Sequence, residues 1–407
     1  MTAARQVATL TPAAEPLLFT VNRGVLLEAL ATVGMAADPK PLIPMMAGVM
    51  LQGHPDGRLT AATFNFEVAC TVTLHGTHPT PGKVLVDHQE LVRLLKAMVH
   101  GKTKRVADAL PVTVSTDTDG AVLEIGGRRM PLTTYPTRDY PTLPGVPPAV
   151  ATVNNELFIL NSQRVLVAAS HEVTLPALCG VHLTITPGAV TLGATDRYRA
   201  AQAYLHATDT TEASGTVPGA TLGAVVKKLR GDTITIGMDP APERLSTGRF
   251  MSLSCGDTTV VTRTIDEMFP RYDSLWPTDP PGHVTVDRRA LLSDTECAAG
   301  ELAATKTRFG FVALDITTTG VSVVPVLQDR PKAVTATEVP AQVQGLAGCR
   351  YQFDPRWLTE ALASFLGHQV TLYPKGGSHL PVLFVDRPEA LTDPTCFRHL
   401  LMSAAGH

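Results

Sequence analysis

The chain has few aromatic residues, few charged residues and no long apolar run. Of its 407 residues, 5% are aromatic and 17% are charged, while 44% are hydrophobic. No apolar run approaches the about 20 residues that a membrane-spanning helix needs, which argues against a membrane protein. The formal net charge of −3 gives no overall signal for nucleic acid, although charge can be segregated between faces. The composition is typical of a soluble globular protein with enough apolar residues for sizeable cores.

The six cysteines form no metal-binding or redox motif. No two of them make a Cys-x-x-Cys pair, and no histidine pair completes a zinc pattern. We therefore expect reduced, mostly buried thiols in a cytoplasmic protein, with no metal and no cofactor. The first residues lack the apolar core of a signal peptide, so the sequence predicts a flexible leader over residues 1–16.

Motifs of the common enzyme classes are also missing. The sequence has no Gly-rich phosphate loop, no His-Glu-x-x-His and no Gly-x-Ser-x-Gly. The acidic residues Asp139, Asp196, Asp266 and Glu267 show no metal-ligand spacing. The sequence therefore argues against an enzyme, and no catalytic residue is predicted.

What the chain does contain is an internal repeat with a long period. A Thr-Val dipeptide begins at Thr20, Thr152 and Thr285, and the spacings are 132 and 133 residues. Each dipeptide ends an extended segment and precedes a helical pattern of apolar residues. The residue after each dipeptide is of a type that caps helix N-termini: Asn22, Asn154 and Asp287.

Other parts of the unit repeat with the same period. Turn-then-strand segments contain Gly57, Gly188 and Gly320, and second helices are predicted to start at Asp87, Pro218 and Asp354. Pro355 suits a first helical position. Pro-rich stretches at 141–148 and 276–282 fall between the units. The sequence thus predicts three α+β domains over residues 17–148, 149–281 and 282–407.

A dense polar stretch, Thr195–Arg199, lies between two strand-like segments. Its Thr, Asp, Arg, Tyr and Arg residues suit a catalytic cluster, a binding edge or an ordinary turn. For Asp196 and Arg199, a hydrogen bond or ion pair that stabilises the turn is a plausible alternative to a binding role. The local pattern leaves all three interpretations open.

Taken together, these features resemble the bacterial DNA polymerase III β subunit family, the sliding clamps. The resemblance extends from residue 17 to the C-terminus. It rests on the three helix starts, on ATDRYRAA at 194–201, where the family has a Thr-Asp-x-x-Arg turn, and on DEMFPRYDSLWP at 266–277. TTYPTRDYPTLP at 133–144 is the equivalent of that last motif, and FRHLLM at 397–402 matches the family's last strand.

The resemblance implies three tandem repeats of the DNA-clamp fold in a head-to-tail homodimeric ring, with helices inside and sheets outside. Duplex DNA would pass through the ring without sequence preference, held by backbone electrostatics alone. The ring would act as a processivity factor. It would tether the DNA polymerase III α subunit, the clamp loader and other proteins that carry clamp-binding motifs, with no membrane contact.

The resemblance also implies a hydrophobic groove for partner peptides, with an apolar floor and with Thr195 and Arg199 as polar handles. Carried over position by position, the groove residues are Leu178, Thr195, Arg197, Tyr198, Arg199, Ala200, Pro270, Ser274, Leu275, Leu400, Leu401, Met402 and Ser403. The DNA contacts expected on the same basis are Lys40, Lys96 and Lys227, with Lys228 and Arg164 as further cations. The dimer is expected to join an edge strand near 111–125 to a segment near 296–315.

Several groove positions depart from the family pattern. Arg197 stands where members usually have Gly, Ser274 where a basic residue is common, and Ser403 where a Pro is usual. We expect the loss of that Pro to open or reshape the groove edge. These departures favour a specialised clamp with a remodelled groove that tolerates a groove-binding antibiotic. A monomeric clamp-fold scaffold that does not encircle DNA is a further alternative.

Overall fold

The computed structural model describes residues 16–37, 41–240, 249–305, 310–327 and 334–404. Lys40, one of the expected DNA contacts, lies outside these residues. Within them the chain is α+β, with seven α-helices and 25 strands, which confirms the predicted class. The chain divides into two compact units, and each is described by itself below.

The elements follow the order expected for a repeated strand–helix pattern. Up to residue 146 they are β1 (Leu18–Asn22), α1 (Arg23–Val33), β2 (Gly48–Gly53), β3 (Leu59–Phe64), β4 (Val68–Leu74), β5 (Gly82–Asp87), α2 (His88–Ala97), α3 (Lys104–Asp108), β6 (Pro111–Asp117), β7 (Gly120–Ile125), β8 (Arg128–Leu132) and β9 (Thr134–Tyr135). From residue 147 to 263 they are β10 (Ala149–Asn154), α4 (Asn155–Leu166), β11 (Gly180–Thr186), β12 (Ala189–Thr195), β13 (Arg199–Thr208), β14 (Ala213–Pro218), α5 (Gly219–Val225), β15 (Thr233–Met238), β16 (Phe250–Cys255) and β17 (Thr258–Arg263). The remainder are β18 (His283–Asp287), α6 (Arg288–Ala304), β19 (Phe311–Ile316), β20 (Gly320–Val326), β21 (Glu338–Gln344), β22 (Arg350–Phe353), α7 (Pro355–Ala363), β23 (Gln369–Pro374), β24 (Pro381–Val385) and β25 (Arg398–Met402).

Unit 1 consists of Met1–Val146 and Ser252–Thr262. One antiparallel sheet has the order β1–β6–β7–β8. A second has the order β9–β5–β2–β3–β4–β17. Helix α1 contacts β3 and β4 and buries Leu26, Leu30 and Val33, as its apolar periodicity predicts.

Unit 2 consists of Pro147–Met251 and Arg263–His407. Its strands form one continuous antiparallel series, β14–β11–β12–β13–β25–β24–β23–β18–β21–β20–β19–β22. Strand β10 pairs with β13 on one side and with β15 on the other. The series is unbroken between β13 and β25, so backbone hydrogen bonds join segments about 200 residues apart.

The helix starts are built alike in the three repeats, with one exception. The carboxylate of Asp287 and the amide of Asn154 each accept the backbone N–H three residues on, at 2.8 and 3.0 Å. Asn22 occupies the N-cap position of α1, as predicted, but its side chain makes no capping hydrogen bond. In the first and third repeats the residue after the capping position is an arginine. The guanidinium of Arg23 donates to a carbonyl in the last turn of α2, and that of Arg288 donates to carbonyls at and just beyond the end of α7.

The second helices start where the sequence places them, but their lengths differ. Asp87 and Asp354 cap α2 and α7, and Pro355 is the first residue of α7, as predicted. Helix α5 is only seven residues long and ends at Val225. Lys227, expected late in this helix, therefore lies in the turn that follows it.

The strand expected to form the dimer edge is not an edge. Segment 111–125 forms β6 and β7, and each of these pairs on both sides. The edge strands of this sheet are β1 and β8. In the other expected segment, 296–315, strand β19 likewise pairs with both β20 and β22. All six cysteines are free thiols, and three of them are buried.

Candidate functional site

The polar stretch between β12 and β13 is the turn of a hairpin. The Asp196 carboxylate accepts the backbone N–H groups of Tyr198 and Arg199, both at 3.0 Å. The Thr195 hydroxyl donates to the Arg199 carbonyl at 2.7 Å and accepts the Arg197 N–H at 3.3 Å. Asp196 and Thr195 thus hold the turn. The resemblance had suggested that Thr195 is a polar handle for a peptide. In the structure Thr195 is buried, so it is not an exposed handle.

Arg199 is also buried, with 3% of its surface exposed. Its Nε donates to Asp196 at 2.8 Å, and its other guanidinium nitrogen donates to Glu360 of α7 at 2.5 Å. Glu360 also accepts Arg356 at 3.0 Å. Burial acts to raise the pKa of Glu360, but the hydrogen bonds from Arg199 and Arg356 hold it below its usual value. Arg199 therefore ties the turn to α7 and is not a free handle.

The last strand forms a second side of the site. Strand β25 pairs with β13 so that Leu401 lies opposite Arg199 and Leu400 opposite Ala200. Leu400, Leu401 and Ala200 are buried, and the Met402 N–H donates to the Tyr198 carbonyl at 2.7 Å. These buried residues form an apolar layer beneath the turn, and their role as the floor of a peptide groove stays a prediction.

The chain beyond Met402 is held in place. The Ser403 hydroxyl accepts the Gln352 N–H at 3.0 Å and donates to the Gln352 carbonyl at 3.1 Å. The Ala404 N–H donates to the same carbonyl at 2.8 Å. Two-way hydrogen bonding to Gln352 of β22 holds Ser403, and the opened or reshaped groove edge stays a prediction.

The segment after β17 packs along β11 and β12. Phe269 stacks on His182 with ring centroids 4.8 Å apart, and Tyr272 lies edge-on to both Phe269 and Trp276. The Tyr272 hydroxyl fills the space where Gly193 of β12 would carry a side chain, and burial raises the pKa of Tyr272 well above its usual value. This aromatic packing supports the neighbouring groove residues. Of these, Pro270 and Ser274 are exposed, Leu275 is half-buried, and Leu178, in a 3-10 turn at Pro176–Leu178, is buried.

Two exposed residues of the turn form the rim of the site. Tyr198 is 49% exposed and stacks on Trp357 of α7, with ring centroids 5.1 Å apart. Arg197 lies 5.8 Å from the Tyr198 ring and pairs with Glu172 at 3.6 Å. Sequence reasoning missed Trp357, Glu360 and Glu172. A signal for Trp357 was available in the sequence, because the chain has only two tryptophans and Trp357 lies in the first turn of a helix.

Arg197 has φ = 80°, in the left-handed region that favours glycine. We expect Arg197→Gly to raise the free energy of unfolding by about 0.5–1 kcal/mol, because a side chain in this region costs about 1–2 kcal/mol and the exposed ion pair with Glu172 contributes little. Urea denaturation measures the change. Arg271→Gly, an exposed arginine in the segment after β17, is the control and should not stabilise the chain; a loss of stability in Arg197→Gly would contradict the strain argument.

A buried polar cluster lies behind the floor. Arg164 of α4 donates to the Ser364 carbonyl at the end of α7 at 2.7 Å, and its guanidinium lies 3.7 Å from the centre of the Phe397 ring. His399 is fully buried, and burial together with the charges of Arg199 and Arg164 lowers its pKa to about 3. Arg164 was expected to contact DNA. It is half-buried and its guanidinium is engaged by these contacts within unit 2, and a DNA contact stays a prediction.

The remaining cations expected to contact DNA are more accessible. Lys96 lies in the last turn of α2 and is exposed. Lys227 is exposed and Lys228 is half-buried in the turn after α5. Their role in DNA contact stays a prediction.

The site has an apolar floor, an aromatic rim and charges that are already paired, so it is suited to binding an extended ligand. In the part of the chain that the structure describes, no group of three or more His, Cys, Asp or Glu side chains could hold a metal ion. No helix among the same residues is long and apolar enough to cross a membrane.

Two family models match the chain. Residues 17–144 match the DNA polymerase III β subunit N-terminal domain, and residues 152–271 match the central domain of the same subunit. Together these matches cover more than half of the chain.

Curated relatives agree with the family models. The β sliding clamp of Streptomyces coelicolor is 32% identical over 263 residues, which are 64% of this chain and 66% of that protein. The β sliding clamp of Micrococcus luteus is 28% identical over 67% of this chain and 84% of that protein. A protein of Streptomyces muensis named β sliding clamp homolog GriR is 27% identical over 74% of this chain and 76% of that protein.

Solved structures show the same fold. The sliding clamp of Pseudomonas aeruginosa bound to griselimycin superposes with a TM-score of 0.81 at 18% identity, covering 96% of this chain and 100% of that one. The sliding clamp of Bacillus subtilis superposes with a TM-score of 0.80, also at 18% identity and with the same coverage. At these identities the likeness concerns the fold.

Proposed function

Because the chain belongs to the DNA polymerase III β subunit family, we propose that it is a sliding clamp, a processivity factor that encircles duplex DNA as a head-to-tail dimer. It would tether the polymerase III α subunit, the clamp loader and other proteins through the groove described above. The observation that carries this proposal is the way in which the repeats are joined.

The two junctions between successive repeats use the same strand pairing. Each predicted repeat has eight principal strands, β1–β8, β10–β17 and β18–β25. The eighth strand of the second repeat, β17, pairs with the fourth strand of the first, β4. The eighth strand of the third, β25, pairs with the fourth strand of the second, β13. This regularity supports the division into domains 17–148, 149–281 and 282–407.

The same rule leaves one eighth strand and one fourth strand without such a partner. Among the described residues these are β8, which pairs only with β7, and the first part of β21, residues 338–340, which pairs only with β20. If β8 of one chain pairs with β21 of a second, two copies close into a ring by heterologous contacts. Arg128 and Arg129 of β8 are exposed, and Glu338 begins β21, so the charges are complementary. This pairing replaces the expected interface at 111–125 and 296–315.

A charge-swap experiment tests the ring. We expect light scattering to give twice the 43.2 kDa mass of the chain, and we expect retention on circular DNA that is lost when the DNA is linearised. Arg128→Glu/Arg129→Glu should weaken the dimer by about tenfold or more, as should Glu338→Arg, because each opposes like charges across the junction. Combining the three substitutions should restore both dimer and retention.

Arg138→Glu, at a highly exposed arginine outside β8, is the matched control and should change neither property. A monomer that is not retained on circular DNA would contradict the clamp and favour the monomeric scaffold. If Lys96, Lys227 and Lys228 contact DNA, changing them to Ala should shorten retention in low salt without altering the mass.

The remodelled rim supports a second candidate function, a specialised clamp that tolerates a groove-binding antibiotic. Arg197 in a glycine-favouring conformation and the Tyr198–Trp357 stack both lie at the groove edge. The similarity to the clamp homolog GriR and the fold shared with a griselimycin-bound clamp also fit.

Griselimycin is the compound to test against this second function. If the rim excludes the compound, Arg197→Gly should bind it about tenfold or more tightly than the native chain, because the substitution removes a long cation from the groove edge. Calorimetric titration measures both affinities. Equal, tight binding to the two proteins would overturn the tolerance proposal and leave the clamp function untouched.

A further inference from the structure

The first strand of the chain has an open edge that its counterparts lack. In the second repeat β10 pairs with both β15 and β13, and in the third β18 pairs with both β23 and β21. Among the residues that the structure describes, β1 forms a strand ladder with β6 alone. On its other side only Leu18 is engaged, since its backbone exchanges hydrogen bonds with Thr80.

The direction of each backbone group on β1 follows from the alternation of an antiparallel ladder. The Leu17 carbonyl accepts the Thr116 N–H, and the Arg23 N–H donates to the Leu110 carbonyl. The backbone N–H and C=O groups of the odd-numbered residues therefore point toward β6. Those of the even-numbered residues point toward the open side. The N–H and C=O of Thr20 point along the same edge as those of Leu18.

A cleft of about 640 Å³ lies against this edge, a size in the usual range for ligand sites. Its other wall is the segment after β4, where Gly76 and His78 have φ values of 67° and 41°. Thr77 in this wall is 4% exposed, and its hydroxyl has no hydrogen-bond partner within the described ranges. Leu18 and Val25, at 47% and 46% exposure, form an apolar rim.

The cleft carries no permanently charged side chain. Among the described residues its lining contains no Lys, Arg, Asp or Glu, and its two histidines are His78 and His75, the latter hydrogen-bonded to Asp257 at 2.6 Å. The opposite edge of the same sheet, β8, carries two arginines. Natural edge strands usually carry charges that prevent further pairing, so an edge without them suits the addition of another strand.

The other repeats show what kind of segment covers this edge. Ala207 and Thr208 of β13 pair with β10, and the stretch Ala341–Gln344 of β21 pairs with β18. In both, small apolar residues alternate with uncharged polar ones. We propose that the outer edge of β1 is a second peptide-binding site, on unit 1, which takes an uncharged extended segment of a partner protein by strand addition. The groove residues, in contrast, belong to unit 2.

A probe peptide that copies residues 341–344, the last four of β21, tests the proposal with the full chain. We expect the capped hexapeptide Ser-Ala-Gln-Val-Gln-Ser to bind saturably and to slow hydrogen exchange of the Thr20 amide by about tenfold or more. The same peptide with Glu in place of Gln should bind about tenfold more weakly, because the lining offers its charges no partner. Thr20 protection already present in the free protein, or no saturable binding of the probe, would overturn the proposal.

Two substitutions locate the probe. Thr20→Pro removes an outward N–H and keeps the backbone hydrogen bonds to β6, but it loses the contact between the Thr20 and Thr113 hydroxyls at 3.0 Å. The melting temperature should therefore fall by only a few degrees while binding is lost. Val25→Glu places a charge on the rim and should weaken binding about tenfold. Leu157→Glu is the matched control, at the equivalent third residue of α4 and 50% exposed, and should bind normally. Unchanged binding in Thr20→Pro and Val25→Glu would place the peptide elsewhere.

Discussion

Replacing Arg199 with Met is expected to lower the free energy of unfolding by about 3–5 kcal/mol and to abolish peptide binding in the groove. The guanidinium is buried and is the shared partner of Asp196 and Glu360, at 2.8 and 2.5 Å. Its loss would remove the buried cation from both carboxylates and leave Glu360 with Arg356 and Asp196 with the backbone N–H groups of the turn. The turn would also lose its tie to α7, so that Tyr198 and Trp357 no longer define the rim. Urea denaturation and peptide titration measure the two effects.

Arg356→Met is the matched control. Arg356 reaches the same Glu360 carboxylate at 3.0 Å, but its side chain is 62% exposed. We expect a loss under about 1 kcal/mol, because water already screens this pair. Equal losses in the two variants would contradict the argument that burial makes Arg199 decisive.

The dependence on pH gives an independent test of the same contact. The pKa of Glu360 is lower in the folded chain than its usual value near 4.5, so the contribution of its ion pairs is complete above that value. It is lost as the pH falls through the lowered pKa of the folded state. The native chain should therefore lose stability more steeply below about pH 4.5 than Arg199→Met does. Parallel acid profiles would show that Glu360 is not held by Arg199.

The second large effect is expected at Arg164. Arg164→Ala should lower the free energy of unfolding by about 2–4 kcal/mol, because it removes a part-buried hydrogen bond to the Ser364 carbonyl and a cation–π contact with Phe397. The sequence resemblance had suggested a DNA contact instead. If the structural role is right, salt-dependent retention on DNA should be unchanged at a temperature where the variant is folded.

Lys228→Ala is the comparison for Arg164→Ala. Lys228 is only half-buried and follows the end of α5, so its loss should cost little stability. A DNA-contact role predicts the opposite pattern for Lys228, with shorter retention and an unchanged unfolding midpoint. If Arg164→Ala instead shortened retention without loss of stability, the cation would act on DNA after all.

Features that depend on neighbouring residues could be predicted from the amino-acid sequence. Asp87 and Asp354 cap helices because a short acidic side chain accepts the N–H groups of the turn that follows it. Gly57 and Gly188 mark turns because their φ values of 82° and 77° suit glycine. Repeated at one period, these local signals were enough for the α+β class, the repeat and the family resemblance.

Which polar side chains are free to bind a ligand depends on tertiary contacts. Arg199 meets Glu360 across 161 positions and Arg164 meets Ser364 across 200, so no local pattern shows that either guanidinium is occupied. The edges of a sheet also depend on distant segments. A strand such as β1, β6 or β8 is an edge only when no other segment hydrogen-bonds to its free side. Burial and pairing are properties of contacts between remote segments, and the sequence of each segment alone does not contain them.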